Sequence, residues 1–315
     1  MNTRPLASFV LLLSLGTLPC AAREELIVTS AYSKAHPSYK REKTAQGAFK
    51  REYYAISNGG ALPGTIRDRE IEKVEFPKIA GALAQELGRQ NYFLAPDKKS
   101  ADLLIVVHWG TTIPFSNPNY SSAINEAGLA LSTIAANGME RRPGSGYGVP
   151  ATDPFLAAAE AEAEDAMMKI MMFGKIRDQA NISNARLLGY VEEINDVNDI
   201  ARYAGGGHYY DDLVGDIEEA RYYIIVTAYD FRETVDKGNK KPLWVTRLSM
   251  RAQGTSFDRY FARLLAAGSK HFGQSSGRLD RKTERTPHVE VGESKVIGVA
   301  PTPTPISQPD TSQPR

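Results

Sequence analysis

The chain has 315 residues, of which 42% are hydrophobic and 24% are charged, a composition typical of a globular protein with a sizeable core. Its formal net charge of +1 supplies no general field for nucleic acid or for an anionic membrane, so neither is an expected partner. Cys20 is its only cysteine, which excludes a disulfide within the chain.

The first 22 residues have the pattern of a secretory signal peptide. Arg4 supplies a positive charge, residues 6–18 are mainly apolar, and small residues precede a cleavage site after Ala22. The apolar stretch is shorter than the roughly 20 residues that span a bilayer, so cleavage is expected to leave a mature chain without a transmembrane helix. The alternative is cleavage before Cys20 and its lipidation, giving an outer-membrane lipoprotein. Pro19 at that position favours cleavage after Ala22.

The first half of the mature chain indicates strands around one helix. β-favouring residues predict strands at 25–32 and 48–57, and Asn58-Gly59-Gly60 predicts a turn that closes the second. Apolar residues at helical spacing predict a helix over 77–90, followed by a loop. The run at 103–107 is apolar throughout, which predicts a central strand covered on both faces.

The late part of the chain gives a second group of elements. Residues 222–230 predict a buried strand, 236–239 a turn, and 243–251 an antiparallel return strand. A helix with an apolar stripe is expected from Ser256 to about Phe272. These elements predict an α/β two-layer sandwich, with a mixed sheet and helices on one face.

A long segment separates these two groups and is expected to be a helical insertion packed on the sheet, at about residues 111–220. Helical patterns cover residues 122–136, a segment from Pro154 through Met172 or beyond, and 185–203.

We therefore expect one domain over residues 23–275 that includes this insertion. The following residues, 276–315, are polar and then rich in proline. Such a segment cannot bury enough apolar area to offset the entropy lost on ordering, so its composition predicts a disordered tail.

One part of the sequence resembles a group of known domains. The run SADLLIVV at 100–107, preceded by a helix ending in Gln90-Asn91-Tyr92-Phe93, is similar to an element of small bacterial envelope domains of unknown function. These include lipoproteins with folds like the amino-terminal domain of TolB and like curli-secretion lipoproteins. Ala228-Tyr229-Asp230, a hairpin and Leu243-Trp244 resemble their paired strands. The resemblance implies an α/β fold and an envelope location, and it implies no catalytic residues.

His108 and Trp109 are the first candidate ligand-binding residues. They follow the apolar run at 103–107, and ligands of open α/β sheets bind at the carboxyl ends of strands. The residue types favour a structural role instead, with the histidine at a strand end and the tryptophan packed beneath the insertion.

His208, Asp211 and Asp212 form the second candidate site. Imidazole and carboxylate groups suit transition metals, but their spacing here matches no metal-binding motif. We therefore predict neither a metal nor a cofactor. These two aspartates and Asp216 are expected to cap or solvate a short helix.

Met167, Met168, Met171 and Met172 hold four of the seven methionines. A methionine patch can be a pliable partner surface, although packing against the sheet is the favoured interpretation.

The sequence contains no assembled catalytic set, such as a nucleophile elbow or a surviving thiol. We therefore expect a non-enzymatic, exported protein of the bacterial envelope, periplasmic or secreted, that binds another envelope protein. The alternative is a secreted or periplasmic hydrolase with its site near His108 and His208.

Overall fold

The computed structural model describes residues 23–140, 154–196 and 207–288. The expected signal peptide at 1–22 and residues 289–315 of the expected tail lie outside this part of the chain. Residues Leu26–Arg285 form one unit. A second unit combines Met1–Glu25 with Thr286–Arg315, and its described residues, 23–25 and 286–288, are all in strands.

Within the described ranges, eight strands form one mixed sheet. They are β1 (Arg23–Ala35), β2 (Glu52–Gly60), β3 (Thr65–Ile66), β4 (Tyr92–Leu94), β5 (Leu103–Thr112), β6 (Arg221–Asp230), β7 (Pro242–Arg251) and β8 (Asp280–His288). The order is β4-β2-β5-β6-β7-β1-β8, with β3 paired to the end of β5. β4, β2 and β5 are parallel, whereas β5, β6, β7 and β1 alternate in direction. The predicted α/β class with a mixed sheet is confirmed.

The described helices are α1 (Arg69–Glu72), α2 (Phe76–Arg89), α3 (Pro118–Glu140), α4 (Pro154–Leu188), α5 (residues 191–196), α6 (Gly207–Glu218), α7 (Phe231–Val235) and α8 (Phe257–Gly268). A 3₁₀ turn follows α8 at Ser269–His271. None of the helices in this part of the chain combines the length and the apolar character that crossing a membrane requires.

The larger hydrophobic core lies between one face of the sheet and the helices α2 and α8. α2 starts with Pro77 in its first turn, where the missing N–H has no helical partner to lose, and it buries Ile79, Leu83 and Leu87. α8 buries a stripe made of Phe257, Tyr260, Phe261, Leu264, Leu265 and Gly268. Both helices cover strand residues such as Ile105 and Trp244. Each fully buried Leu or Ile stabilises the fold by about 1.5–3 kcal/mol, so this face supplies much of the apolar stabilisation.

The insertion covers the opposite face of the sheet. Ala185 and Leu188 of α4 and Leu213 and Ile217 of α6 pack against Tyr32, Tyr223 and Ile225 of the strands in a second buried cluster. Because both faces are covered, β6 is buried at its first eight positions, from Arg221 to Ala228. The sheet therefore carries helices on both faces. The helices α2 and α8 cover one face, and the helices of the insertion cover the other.

The prediction of a turn at Asn58-Gly59-Gly60 was wrong, because β2 continues through these residues. The strand register shifts between Asn58 and Gly60, which marks an irregularity in the pairing with β5. A Cβ atom at Gly59 would lie 2.4 Å from Cε1 of His108. The glycine is therefore needed for the close approach of a neighbouring side chain and not for a turn.

The expected helix at 185–203 has different boundaries in the structure. α4 continues to Leu188 and ends at Gly189, whose φ of +83° breaks the helix. Gly189 also lies against Tyr32, since a Cβ there would come within 2.8 Å of that ring. The chain resumes as α5 at 191–196, and residues 197–203 lie outside the described ranges.

The expected tail begins later than residue 276, since β8 occupies Asp280–His288 and Leu279 is buried. The strand residues are polar because β8 is the last strand in the sheet order, where one edge needs no partner. Arg281 holds β8 to the insertion through a hydrogen bond to Asp216. Composition alone missed this strand because a polar edge strand and a solvated tail have similar composition.

Candidate binding surface

His108 and Trp109 point to opposite faces of the sheet and cannot share one site. β5 continues beyond them to Thr112, so they lie inside the strand and not at its end as expected. Trp109 belongs to the larger core, where it stacks on Phe76 at 5.9 Å between ring centroids. The expectation that it packs beneath the insertion was wrong, because the insertion covers the other face of the sheet. The guanidinium of Arg67 lies 4.7 Å from the same indole ring.

His108 has a structural environment on the other face. Its register partners are Gly60 on β2 and Ile225 on β6, and its ring occupies the space that Gly59 leaves open. Its Nδ1 atom is buried without a hydrogen-bond partner. His108 therefore has a packing role, although inside the strand and not at the strand end that was expected. Among the described residues no hydrogen-bond partner of its Nδ1 atom is available for proton transfer.

His208, Asp211 and Asp212 lie in the first half of α6, and all three are exposed. Within the described ranges, no group of three His, Cys, Asp or Glu residues could hold a metal ion. Asp212 lies 3.9 Å from Arg281, and Asp211 lines a groove on the insertion.

That groove, here called the α4–α6 groove, lies between α4, α5 and α6 and has a volume of about 700 Å³. Its apolar lining comes from Ile182 and Ala185 of α4, Val191 and Ile194 of α5, and Val214 and Ile217 of α6. A volume of this size is typical of binding pockets, which combine an apolar lining with a few polar groups. These residues form no recognisable pattern in the sequence, because their neighbours in the groove come from three separate helices.

Polar and charged side chains border the groove. Arg177, Asp178, Asn181, Arg186, Asn195, Tyr210 and Asp211 line it together with the apolar residues. Arg177 Nε donates to Glu218 Oε1 at 2.6 Å, and this hydrogen bond raises the pKa of the guanidinium. Asn181 Nδ2 donates to the same oxygen at 2.6 Å. The border thus carries both signs of charge, which favours a partner that is itself amphipathic.

A buried polar network fixes α6 beneath this groove. Asp216 accepts hydrogen bonds from the Tyr190 hydroxyl at 3.0 Å, from Arg221 at 3.0 Å and from Arg281 at 2.7 Å. Burial raises the pKa of Tyr190 to about 12, and the bond to Asp216 raises the pKa of Arg281. The expectation that Asp216 caps or solvates a helix was wrong, because it is the shared partner of two arginines.

Beyond the groove, α3 and α4 pack as an antiparallel pair through small residues. Ala123, Ala127 and Ala130 of α3 and Ala159, Ala163 and Ala166 of α4 are buried. Ion pairing joins Glu126 to Lys169 at 3.1 Å, and Arg177 contacts Tyr120, so the two helices run in opposite directions. The alanine interface leaves the larger apolar side chains of both helices outside it.

These larger side chains are exposed. They are Ile124, Leu129, Leu131, Phe155, Met167, Met168, Met171 and Met172, with exposed fractions between 47% and 79%. The favoured expectation that the four methionines pack against the sheet was therefore wrong. By the 3.6-residue repeat, Met171 and Ile182 lie on one side of α4, with the charged residues Lys175 and Asp178 between them. The exposed methionines are therefore a surface separate from the α4–α6 groove.

No protein-family model matches this chain, and no curated protein matches it either.

Proposed function

We propose that this chain is an exported protein of the bacterial envelope that acts by binding another envelope protein in the α4–α6 groove. The observation that carries the proposal is the groove itself, with its apolar lining, its border of both charges and its volume of about 700 Å³. The export step rests on the signal-peptide pattern of the first 22 residues, and the resemblance to envelope domains supports the same location.

An amphipathic helix is the partner element that fits this groove best. Helices that bind in grooves place apolar residues at i, i+3, i+4 and i+7 against an apolar floor and leave their polar side outside. Here Ile182, Val214 and Ile217 supply such a floor, and Asp178 and Arg186 supply opposite charges at its border.

The hydrolase alternative receives no support from its candidate residues. His108 is packed against Gly59 within the sheet, whereas Trp109 lies on the opposite face. His208 is exposed on the first turn of α6. A general base needs its reacting partner within hydrogen-bond distance, and in the part of the chain that the structure describes neither histidine is hydrogen-bonded to a nucleophilic side chain.

The test compares two substitutions of matched exposure. Ile182 is 49% exposed in the groove, and Val235 is 48% exposed at the end of α7. We expect Ile182→Glu to abolish recovery of the partner from envelope extracts and Val235→Glu to leave it unchanged, because only the first buries a charge on binding. The double variant His108→Ala/His208→Ala should still bind. Loss of binding in that folded double variant, with Ile182→Glu retaining it, would overturn the proposal.

A further inference from the structure

The four methionines of α4 form a cluster that the proposed function does not require. Met167, Met168, Met171 and Met172 fall within six consecutive residues, and they are four of the seven methionines in the chain. Their exposed fractions run from 50% to 72%, so the thioether groups are open to solvent. Apolar docking alone does not require sulfur, since leucine offers comparable apolar area and comparable helix propensity.

The helix repeat makes each of these four side chains a neighbour of at least one other on the helix surface. Met167 and Met171 are separated by four residues, Met168 and Met171 by three, and Met168 and Met172 by four. Residues at these spacings have Cβ atoms about 5–6 Å apart on one helix surface. Each methionine has three rotatable side-chain bonds, so neighbouring sulfur atoms can turn towards a common point.

We propose that these methionines bind one Cu(I) ion through their thioether sulfurs. Soft sulfur ligands select Cu(I) over the hard divalent cations, which prefer carboxylate and water. A thioether has no proton to lose, so it is ready to coordinate without deprotonation. Met168 has Met171 at i+3 and Met172 at i+4. Three sulfur ligands can therefore come from little more than one helical turn.

The surrounding charges are compatible with a bound cation. Lys169 is the one positive residue within the run, and its ammonium group contacts Asp165 at 2.7 Å and Glu126 at 3.1 Å. Its charge is therefore partly offset by two carboxylates. By the helix repeat of about 100° per residue, Lys169 lies about 160° from both Met167 and Met171 and about 60° from Met172, so Met167 and Met171 are the ligands on the side of α4 away from its charge.

The experiment measures Cu(I) affinity of the untagged mature chain under anaerobic, reducing conditions, by competition with a chromophoric Cu(I) chelator. We expect one Cu(I) per chain, with affinity reduced by at least about tenfold when all four methionines are changed to leucine. Leucine keeps the surface apolar, so the change removes sulfur alone. Met250→Leu is the control, because Met250 is fully buried in the larger core and should not affect the affinity.

X-ray absorption of the wild-type complex supplies a second readout that does not depend on any variant folding. Sulfur atoms as the main ligands of copper are expected. Equal Cu(I) affinity of the folded leucine variant, absence of binding by the wild type, or a copper shell of nitrogen and oxygen alone would each overturn the proposal. None of these outcomes concerns the α4–α6 groove, so the two proposals can fail separately.

Discussion

Arg221 and Asp216 form an ion pair that is almost completely removed from solvent, with Nη1 of the arginine 3.0 Å from Oδ1 of the aspartate. The other two nitrogens of the Arg221 guanidinium also donate hydrogen bonds, Nε to Ser249 Oγ at 3.0 Å and Nη2 to the Val28 carbonyl at 3.1 Å. The pair joins the start of β6 to α6. It therefore holds one wall of the α4–α6 groove on the sheet.

Removing the charge of Asp216 is expected to destabilise the fold strongly. Asp216→Asn leaves the guanidinium of Arg221 buried without its countercharge, and breaking a buried pair in this way costs about 3–5 kcal/mol. The free energy of unfolding, measured by urea denaturation, checks the value. Asp212→Asn is the matched control: its side chain is 61% exposed and lies 3.9 Å from Arg281, so we expect a change below about 0.5 kcal/mol. Equal effects of the two substitutions would contradict the assigned role.

Tyr190 should make the free energy of unfolding depend on pH in the alkaline range. Burial raises its pKa to about 12 in the folded state, against about 10 in an unfolded chain. Between these two pH values the unfolded chain loses the tyrosine proton that the folded chain keeps. The stabilisation that Tyr190 contributes is therefore complete below pH 10 and is lost as the pH rises towards 12.

Tyr190→Phe removes this titration. The fall in unfolding free energy with pH in that window should become shallower by up to about 1.4 kcal/mol per pH unit. Urea denaturation at several pH values measures it. An unchanged slope would show that Tyr190 does not titrate with a raised pKa.

The contact between Gly59 and His108 can be tested by a double-mutant cycle. Gly59→Ala places a Cβ atom 2.4 Å from His108 Cε1, and overpacking of this kind costs about 1–3 kcal/mol. In a His108→Ala background the same substitution should cost much less, because the clashing ring is gone. Gly81→Ala on α2 serves as the control and should be neutral or stabilising, because no atom of the described residues lies within 4 Å of the added Cβ. Additive effects of the two substitutions would contradict the contact.

The sequence predicted the elements whose signal is local. Ile79, Leu83 and Leu87 repeat at helical spacing within one segment, so α2 and its buried side could be read directly. Long-range contacts left no such signal: Asp216 is bonded to Arg281 across 65 positions. A glycine pair such as Gly59-Gly60 can mark either a turn or the close approach of a neighbouring side chain. Only the position of His108 in the structure distinguishes these two roles.

The candidate site shows the same limit. Asp211 was a candidate ligand-binding residue, and it lines the groove. The apolar lining comes from residues on different helices, such as Ile182 and Val214. Exposed methionines at helical spacing resemble a core stripe, because the sequence does not record which side faces the sheet.

Processing at the amino terminus is predicted to leave a chain without cysteine. Cleavage after Ala22 removes Cys20, so mass spectrometry of the protein purified from its host should find Arg23 as the first residue. A chain that begins at a lipid-modified Cys20 would establish the outer-membrane lipoprotein alternative. Retention of Met1 in the envelope fraction would contradict cleavage altogether.

Site-specific photocross-linking tests whether another envelope protein binds in the α4–α6 groove. A photoreactive amino acid replaces Ile182 in the groove, or Val235 as the control of equal exposure, in the living host. We expect one defined protein adduct from position 182, none from position 235, and loss of that adduct when Val214→Glu places a charge on the groove lining. No adduct from position 182, or an adduct that persists with Val214→Glu, would contradict binding in the α4–α6 groove.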